Sequence, residues 1–223
     1  MVRKPTAPPQ IHVLAGVNGA GKSSIIGATI RDKGGEYYNP DEAAREIMAA
    51  NPELGQTEAN AAAWDQGRKL LERAIDEGLD FTFETTLGGN TMPRLLADAA
   101  KRGIEIHVFY VGLDTDDAHI ARVRQRVRGG GHDIPEADIR RRCRHSLINL
   151  VTLLPVLTEL RVYDNSATAD PAKGQTPRPV LVLHMQRGRI VGPRDLTSTP
   201  EWAKPLVAAA LELVNGRGVR RDR

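Results

Sequence analysis

Apolar and polar positions alternate along this chain in a pattern that predicts strands and helices in turn. Short apolar runs, typical of buried strands, occur at 11–15, 80–86, 105–111 and 160–164. Apolar residues at helical spacing occur between and after them, at 23–31, 57–77, 91–103, 114–128 and 135–154. A further strand is predicted at 36–40 before a helix at 42–49, and a hairpin at 179–191 before a last helix at 200–215. This succession predicts a mostly parallel sheet with flanking helices.

The helix predicted at 57–77 has the clearest apolar stripe. Trp64, Leu71 and Ile75 recur at helical spacing, and Gly78 follows as a terminator. We therefore assign Trp64 to the core rather than to a stacking platform for a ligand.

One stretch carries a complete chemical motif. After the first strand, residues 16–23 read Gly-Val-Asn-Gly-Ala-Gly-Lys-Ser, the G-x-x-x-x-G-K-S pattern of a phosphate-binding P-loop in its strand–loop–helix context. Glycines let backbone N–H groups surround an anion, and the following helix adds its positive end. Lys22 is expected to reach the β- and γ-phosphates, and the Ser23 hydroxyl to bind Mg²⁺. The predicted ATP site, with GTP as the alternative donor, comprises Gly16, Asn18, Gly19, Ala20, Gly21, Lys22, Ser23 and Ser24.

Polar residues also follow the other predicted strands. Asn39 and Asp41 follow the strand at 36–40, and the strand at 80–86 ends in Glu84, Thr85 and Thr86. The carboxyl ends of parallel strands meet at the ligand-binding edge of an open α/β sheet, so these side chains are expected to face the P-loop. The sequence leaves one alternative open, in which Asp41 merely caps the helix at 42–49.

An arginine-rich segment with a glycine hinge follows the strand at 105–111. The helix at 114–128 carries four arginines, residues 129–131 are all glycine, and four more arginines lie at 140, 141, 142 and 144. Helix, glycine hinge and basic helix are typical of a mobile lid over phosphates, here about 114–145. A solvated basic face is the alternative. His132 is either a ligand or a capping residue in the turn.

Composition narrows the class of protein. The net charge is only +3 despite a pI near 9.2, and the basic clusters lack interleaved aromatic residues, which argues against nucleic acid as a partner. One cysteine, no signal peptide and no membrane-length apolar run predict a cytoplasmic protein without a membrane partner. We expect a poorly ordered leader at 1–9, one domain at 10–216 and a disordered basic tail at 217–223.

The P-loop alone does not choose between a kinase, a switch GTPase and a motor ATPase. No N-K-x-D tetrapeptide that would read guanine is present, and no long apolar strand ends in paired carboxylates. An acidic residue after the second predicted strand and an arginine-rich lid suit phosphoryl transfer from ATP to a hydroxyl of a small molecule. The alternatives are a regulatory module with slow hydrolysis and a nucleic-acid 5′-hydroxyl kinase.

Several segments together resemble the zeta-toxin family of P-loop kinases, over roughly residues 10–167. The segments are, in order, 16–23, 39–42, 83–86, 126–132 and 164–166. The resemblance implies an α/β fold of three layers, the P-loop NTPase fold of the nucleotide-kinase type. Toxins of this family phosphorylate a sugar hydroxyl of UDP-N-acetylglucosamine, so a UDP-linked amino sugar is the expected acceptor and an antitoxin protein an expected partner. The related chloramphenicol phosphotransferases keep an antibiotic acceptor open.

The resemblance also assigns roles to individual residues. Asp41 matches the catalytic aspartate, the general base for the acceptor hydroxyl, and Asn165 is expected near the adenine. The expected catalytic residues are Lys22, Asp41, Arg126 and Arg128. The expected substrate-binding residues are Asn39, Asp41, Glu84, Thr85, Thr86, Arg141 and Arg142.

Overall fold

Strands and helices alternate in the structure, a computed structural model that describes residues 7–167 and 178–219. The strands are β1 (Gln10–Ala15), β2 (Phe81–Thr85), β3 (Glu105–Gly112), β4 (Glu159–Asp164), β5 (Val180–Gln186) and β6 (Arg189–Gly192). The helices are α1 (Ala28–Asp32), α2 (Pro40–Ala50), α3 (Gln56–Glu77), α4 (Thr91–Lys101), α5 (Asp116–Arg128), α6 (Glu136–Leu153) and α7 (Lys204–Val219). A wider, π-helical turn over Ser23–Gly27 leads into α1. No helix in the described ranges is both long and apolar enough to cross a membrane.

The six strands form one sheet in the order β2-β1-β3-β4-β5-β6. The first four are parallel, while β5 and β6 are antiparallel additions at one edge. Because β1, β2, β3 and β4 run the same way, their carboxyl ends meet at one edge of the sheet. The α/β fold with a mostly parallel sheet is therefore confirmed.

The core lies between the sheet and four helices. Side chains at alternate positions of β1 and β3, such as Val13 and Val108, share one face of the sheet. They form one buried cluster with Leu71 of α3, Leu96 of α4 and Leu150 of α6, and α7 joins the same cluster. This packing holds the sheet edge against helices α3, α4 and α6, which also contribute to the cleft described below.

The strand predicted at 36–40 is wrong. Only Tyr38 bridges to the sheet: its N–H donates to Thr82 O at 2.9 Å, and its carbonyl accepts from Glu84 N–H at 2.8 Å. Pro40 then begins α2 at once, and its ring has no N–H to continue a ladder. Tyr38 nevertheless places the residues after it at the sheet edge.

The assignment of Trp64 to the core is also wrong. Its side chain is 44% exposed, while the buried stripe of α3 runs through Ala63, Gly67 and Leu71. Tyr38 packs closely there, since a Cβ on Gly67 would lie 2.6 Å from Tyr38 Cε1. Small residues thus occupy the buried face, and Trp64 lies one helical step away from it.

Helix α7 continues to Val219, past the end predicted at Gly216. Residues 1–6 of the predicted leader, most of the loop predicted at 169–179 and residues 220–223 lie outside the described residues.

The end of β3 makes a testable packing contact. A Cβ added to Gly112 would lie 2.6 Å from Trp202 Cζ2, and the Trp202 indole is anchored by a 3.0 Å hydrogen bond to Asp164 Oδ1. We expect Gly112→Ala to lower the free energy of unfolding by about 1–3 kcal/mol through overpacking. Each kcal/mol should lower Tm by about 2–4 °C, measurable by thermal and urea denaturation.

Gly89→Ala is the matched control, because a Cβ there would meet no atom within 4 Å. Equal stability of the two variants would contradict the packing argument.

Candidate active site

Glycines let the P-loop lie against neighbouring backbone. Gly16 has φ 137°, and an added Cβ would overlap the carbonyl oxygen of Val111 in β3. Gly21 has φ 95°, and its Cβ would lie 2.7 Å from Asn165 Nδ2. Side chains are therefore excluded at both positions by contact as well as by backbone angle. The loop is fixed against the carboxyl ends of β3 and β4.

Glu84 joins the two polar side chains at the end of the P-loop. Lys22 is 6% exposed, and its Nζ lies 3.4 Å from Glu84 Oε1 and 3.4 Å from Val17 O. Ser23 Oγ donates a 2.7 Å hydrogen bond to Glu84 Oε2. Strand β2 neighbours β1, so Glu84 leaves the sheet beside the loop. The resemblance predicts Glu84 as a substrate residue, whereas these contacts are with the phosphate-binding side.

Side chains from three segments form hydrogen bonds with the loop. His119 Nδ1 of α5 lies 2.8 Å from Asn18 O, and burial lowers the pKa of His119, which favours the neutral imidazole. Arg142 of α6 donates to Asn18 Oδ1 at 2.8 Å. Asn165 Nδ2, beyond β4, donates to Ala20 O at 2.8 Å.

Sequence reasoning missed two of these supports. The sequence pattern does not point to His119, and it shows Arg122, whose Nη2 donates to Asn165 O at 2.6 Å, only as one of a run of arginines. Their spacing of three residues on α5 places them on one helix face, which is the signal available in the sequence. Asn165 was expected near the adenine, and the structure places its side-chain amide against the backbone of the P-loop at Ala20.

Asp41 lies in the cleft because a neighbour caps the helix. Asn39 Oδ1 accepts the 2.9 Å hydrogen bond from Asp41 N–H, with Pro40 between them in the first turn of α2. The alternative in which Asp41 is the cap is therefore wrong. Its carboxylate instead has Arg126 Nη1 at 3.3 Å from Oδ2 and His132 Nε2 at 3.9 Å from Oδ1.

The four arginines expected at the site differ in position. Arg126 pairs with Asp41, and Arg126 Nε is buried without a hydrogen-bond partner among the described residues. Arg142 is partly buried, which lowers the pKa of its guanidinium, and Arg141 pairs with Asp138 at 2.7 Å. Arg128 is exposed, and the described part of the chain offers its side chain no hydrogen bond or ion pair.

Ion pairs join the two arginine-rich helices. Arg140 Nη2 of α6 lies 2.6 Å from Asp117 Oδ1 of α5, and Arg124 of α5 pairs with Glu136 at the start of α6. The turn at 129–131 therefore connects two helices that are already linked through side chains.

The loop after β2 forms a fixed wall. Thr85 Oγ1 accepts from Leu87 N–H at 3.1 Å, and Thr86 Oγ1 accepts from Gly88 N–H at 3.3 Å. Asn149 of α6 donates to Leu87 O at 2.6 Å. Both threonines thus shape the loop through their hydroxyls.

These elements enclose one cleft of about 630 Å³ beside the P-loop. It is lined from α2, α3, α4, the loop after β2, the segment 132–135 that follows the glycine hinge, and α6. Among its lining residues are Asn18, Asp41, Glu84, Thr85, Thr86, His132, Arg141 and Arg142, together with Gln56, Asn60 and Trp64. No cluster of three or more His, Cys, Asp or Glu side chains in the described ranges is placed to hold a metal.

Solved structures share this fold. A chain of the AvrRxo1-ORF1:-ORF2 complex crystallised with ATP aligns with a TM-score of 0.62 at 13% identity, over 92% of this chain and 64% of that one. A chain of the PezAT toxin–antitoxin system of Streptococcus pneumoniae aligns with a TM-score of 0.53 at 15% identity, over 96% and 90% of the two chains. This chain therefore spans less than two thirds of the AvrRxo1 chain but most of the PezAT chain.

Sequence comparison finds one curated relative at higher identity and one matching family model. A curated Haemophilus influenzae protein, described as uncharacterized, is 32% identical over 124 residues, which are 54% of this chain and 83% of that protein. The family model named Zeta toxin matches residues 2–170. That match covers more than half of the sequence and includes the P-loop, Asp41, Glu84 and the arginine-rich helices. The chain belongs to the zeta toxin family.

Proposed function

We propose that the protein is an ATP-dependent kinase that transfers the γ-phosphate to a hydroxyl of a small molecule bound in the cleft. The observation that carries the proposal is that one cleft contains Asn18 of the P-loop, Glu84 and Asp41. A donor held by the loop and an acceptor held in the cleft would therefore meet beside a carboxylate, as phosphoryl transfer requires.

On the donor side, the loop backbone and Lys22 would bind the phosphates of ATP. The Ser23 hydroxyl and the Glu84 carboxylate, 2.7 Å apart, supply oxygen ligands of the kind that Mg²⁺ prefers. Mg²⁺ keeps several waters and is bound by one or two protein groups besides the substrate phosphates, so these two side chains suffice for this ion. When bound, Mg²⁺ would neutralise charge on the phosphates.

On the acceptor side, Asp41 would orient the hydroxyl and accept its proton as the bond to phosphorus forms. Arg126 would stabilise charge on the transferred group, because its guanidinium already reaches Asp41 and its buried Nε–H has no partner among the described residues. Arg142 and Arg141 would contact phosphates from α6. Arg128, although it matches the family pattern, has the weakest structural support.

The acceptor that we propose is a UDP-linked amino sugar such as UDP-N-acetylglucosamine. Family membership supports this choice, and the cleft volume of about 630 Å³ lies within the range of small-molecule sites. Because the family includes toxins and one structural neighbour comes from a toxin–antitoxin system, we also propose an antitoxin protein as partner.

The direct test is incubation with γ-labelled ATP, Mg²⁺ and a metabolite panel that includes UDP-sugars, aminoglycan sugars, chloramphenicol and 5′-hydroxyl oligonucleotides, read by mass spectrometry. We expect label on a UDP-sugar and none with Lys22→Ala, which lacks the buried ammonium beside the phosphates. Nucleotide binding with no labelled acceptor in the panel would contradict the kinase proposal and favour a regulatory module.

Asp41→Asn should separate binding from transfer. We expect the Kd for ATP to stay within twofold, because Asp41 lies on the acceptor side, while kcat falls by roughly 10²–10⁴-fold with loss of the base. Isothermal titration and steady-state kinetics measure the two quantities. Glu42→Gln is the control, since the neighbouring Glu42 pairs with Arg31 at the surface. Full transfer by Asp41→Asn would remove Asp41 from the mechanism.

Glu84→Gln should raise the Mg²⁺ concentration required for half-maximal activity. Loss of a carboxylate that orients a metal ligand typically costs about 10–100-fold in metal affinity. A Mg²⁺ titration at fixed ATP measures the shift. If the KM for the acceptor rose instead, at an unchanged Mg²⁺ requirement, the substrate role implied by the family resemblance would be supported.

A further inference from the structure

Trp64 is the large exposed aromatic side chain of the cleft wall formed by α3. It is 44% exposed, and it lines the same cleft as Asp41 and Glu84. Gln56 and Asn60 line the cleft from the two preceding turns of the same helix, at spacings of four residues. A polar stripe that ends in an indole therefore faces the space that the acceptor would occupy.

The two amides of this stripe keep donors and acceptors beyond the one bond that joins them. Gln56 Nε2 donates to Asn60 Oδ1 at 2.9 Å, which fixes the side chains relative to each other. Gln56 Oε1 and Asn60 Nδ2 then have no partner within the described part of the chain. An adjacent C=O and N–H₂ complement a ligand edge that carries N–H and C=O groups side by side.

We propose that Trp64 is a specificity-determining residue that packs against the face of a ring in the acceptor, while Gln56 and Asn60 bind an amide-like edge of that ring or its substituent. The inference rests on the proposed kinase function. An indole binds planar bases and the C–H faces of sugars, and burial of its exposed surface adds affinity without a new charge. Arg142 lines the same cleft without an ion pair among the described residues, so an anionic group beside such a ring would meet this guanidinium.

Two kinds of ring in an acceptor would suit Trp64 and the two amides: a pyrimidine base and an N-acylated sugar. Both carry neighbouring N–H and C=O groups, and both present a face to an aromatic side chain. Uridine and N-acetylglucosamine, used separately as competitors of acceptor phosphorylation, distinguish them.

Trp64→Ala should raise the KM for the acceptor at least tenfold, in line with the stacking of one ring on an aromatic side chain. The kcat and the KM for ATP should stay within twofold, because Trp64 belongs to the cleft wall formed by α3 and not to the P-loop. Trp64→Phe should recover most of the affinity, since it keeps an aromatic face. Leu79→Ala is the matched control, as Leu79 is also 44% exposed but does not line the cleft.

The competitors locate the ring. The inhibition constant of the compound whose ring packs on Trp64 should rise at least tenfold in Trp64→Ala. The inhibition constant of the other compound should be unchanged. An unchanged KM for the acceptor together with unchanged inhibition by both compounds would overturn the inference and leave the kinase proposal standing.

Tryptophan fluorescence supplies a test that does not depend on turnover. Titration with uridine or N-acetylglucosamine should change the emission of the wild-type protein but not that of Trp64→Phe. A failed kinase proposal would appear as no labelled acceptor in the panel, whereas a failed role for Trp64 would appear as equal fluorescence responses in the two proteins.

Discussion

Hydrogen bonds from three distant segments hold the P-loop in place, and the geometry of the cleft depends on them. His119 of α5 and Arg142 of α6 both bind Asn18, and Asn165 after β4 binds Ala20 O. Removal of one partner would leave a buried polar group unsatisfied, at a cost of about 1–3 kcal/mol. The loop conformation is therefore a property of the whole sheet edge, and not only of the glycines that permit it.

These contacts also constrain the arginine-rich helices. Because α5 and α6 each contact Asn18, a movement of the two helices as one unit would break both of these contacts. A movement of one helix against the other would break the ion pair between Arg140 and Asp117. In the proposed function, any closure over a substrate would therefore involve the turn at 129–131 and the side chains of Arg126 and His132, while α5 and α6 keep their contacts with the P-loop.

Features that depend on the local sequence pattern could be predicted from the sequence. Features that depend on contacts between distant residues could not. The P-loop was predictable because its glycines are needed for one backbone conformation, and the four parallel strands because each is a short run of apolar residues. Trp64 was assigned wrongly because an indole at helical spacing looks like a core residue, whereas small residues on the adjacent face admit Tyr38. Nor could the sequence show that Asn39 caps α2, or that Glu84 bonds Ser23, since both depend on the orientation of one side chain.

Arg126 connects the two halves of the proposed reaction. Its guanidinium pairs with the Asp41 carboxylate, while its buried Nε–H has no partner among the described residues, an arrangement that leaves hydrogen-bonding capacity unused. A γ-phosphate has three acceptor oxygens and more charge than a carboxylate, so it competes well for a planar guanidinium with several donors. In the proposed function, movement of Arg126 toward phosphate would free one oxygen of Asp41 for the acceptor hydroxyl. Donor binding would then prepare the base, because one guanidinium cannot satisfy both anions fully.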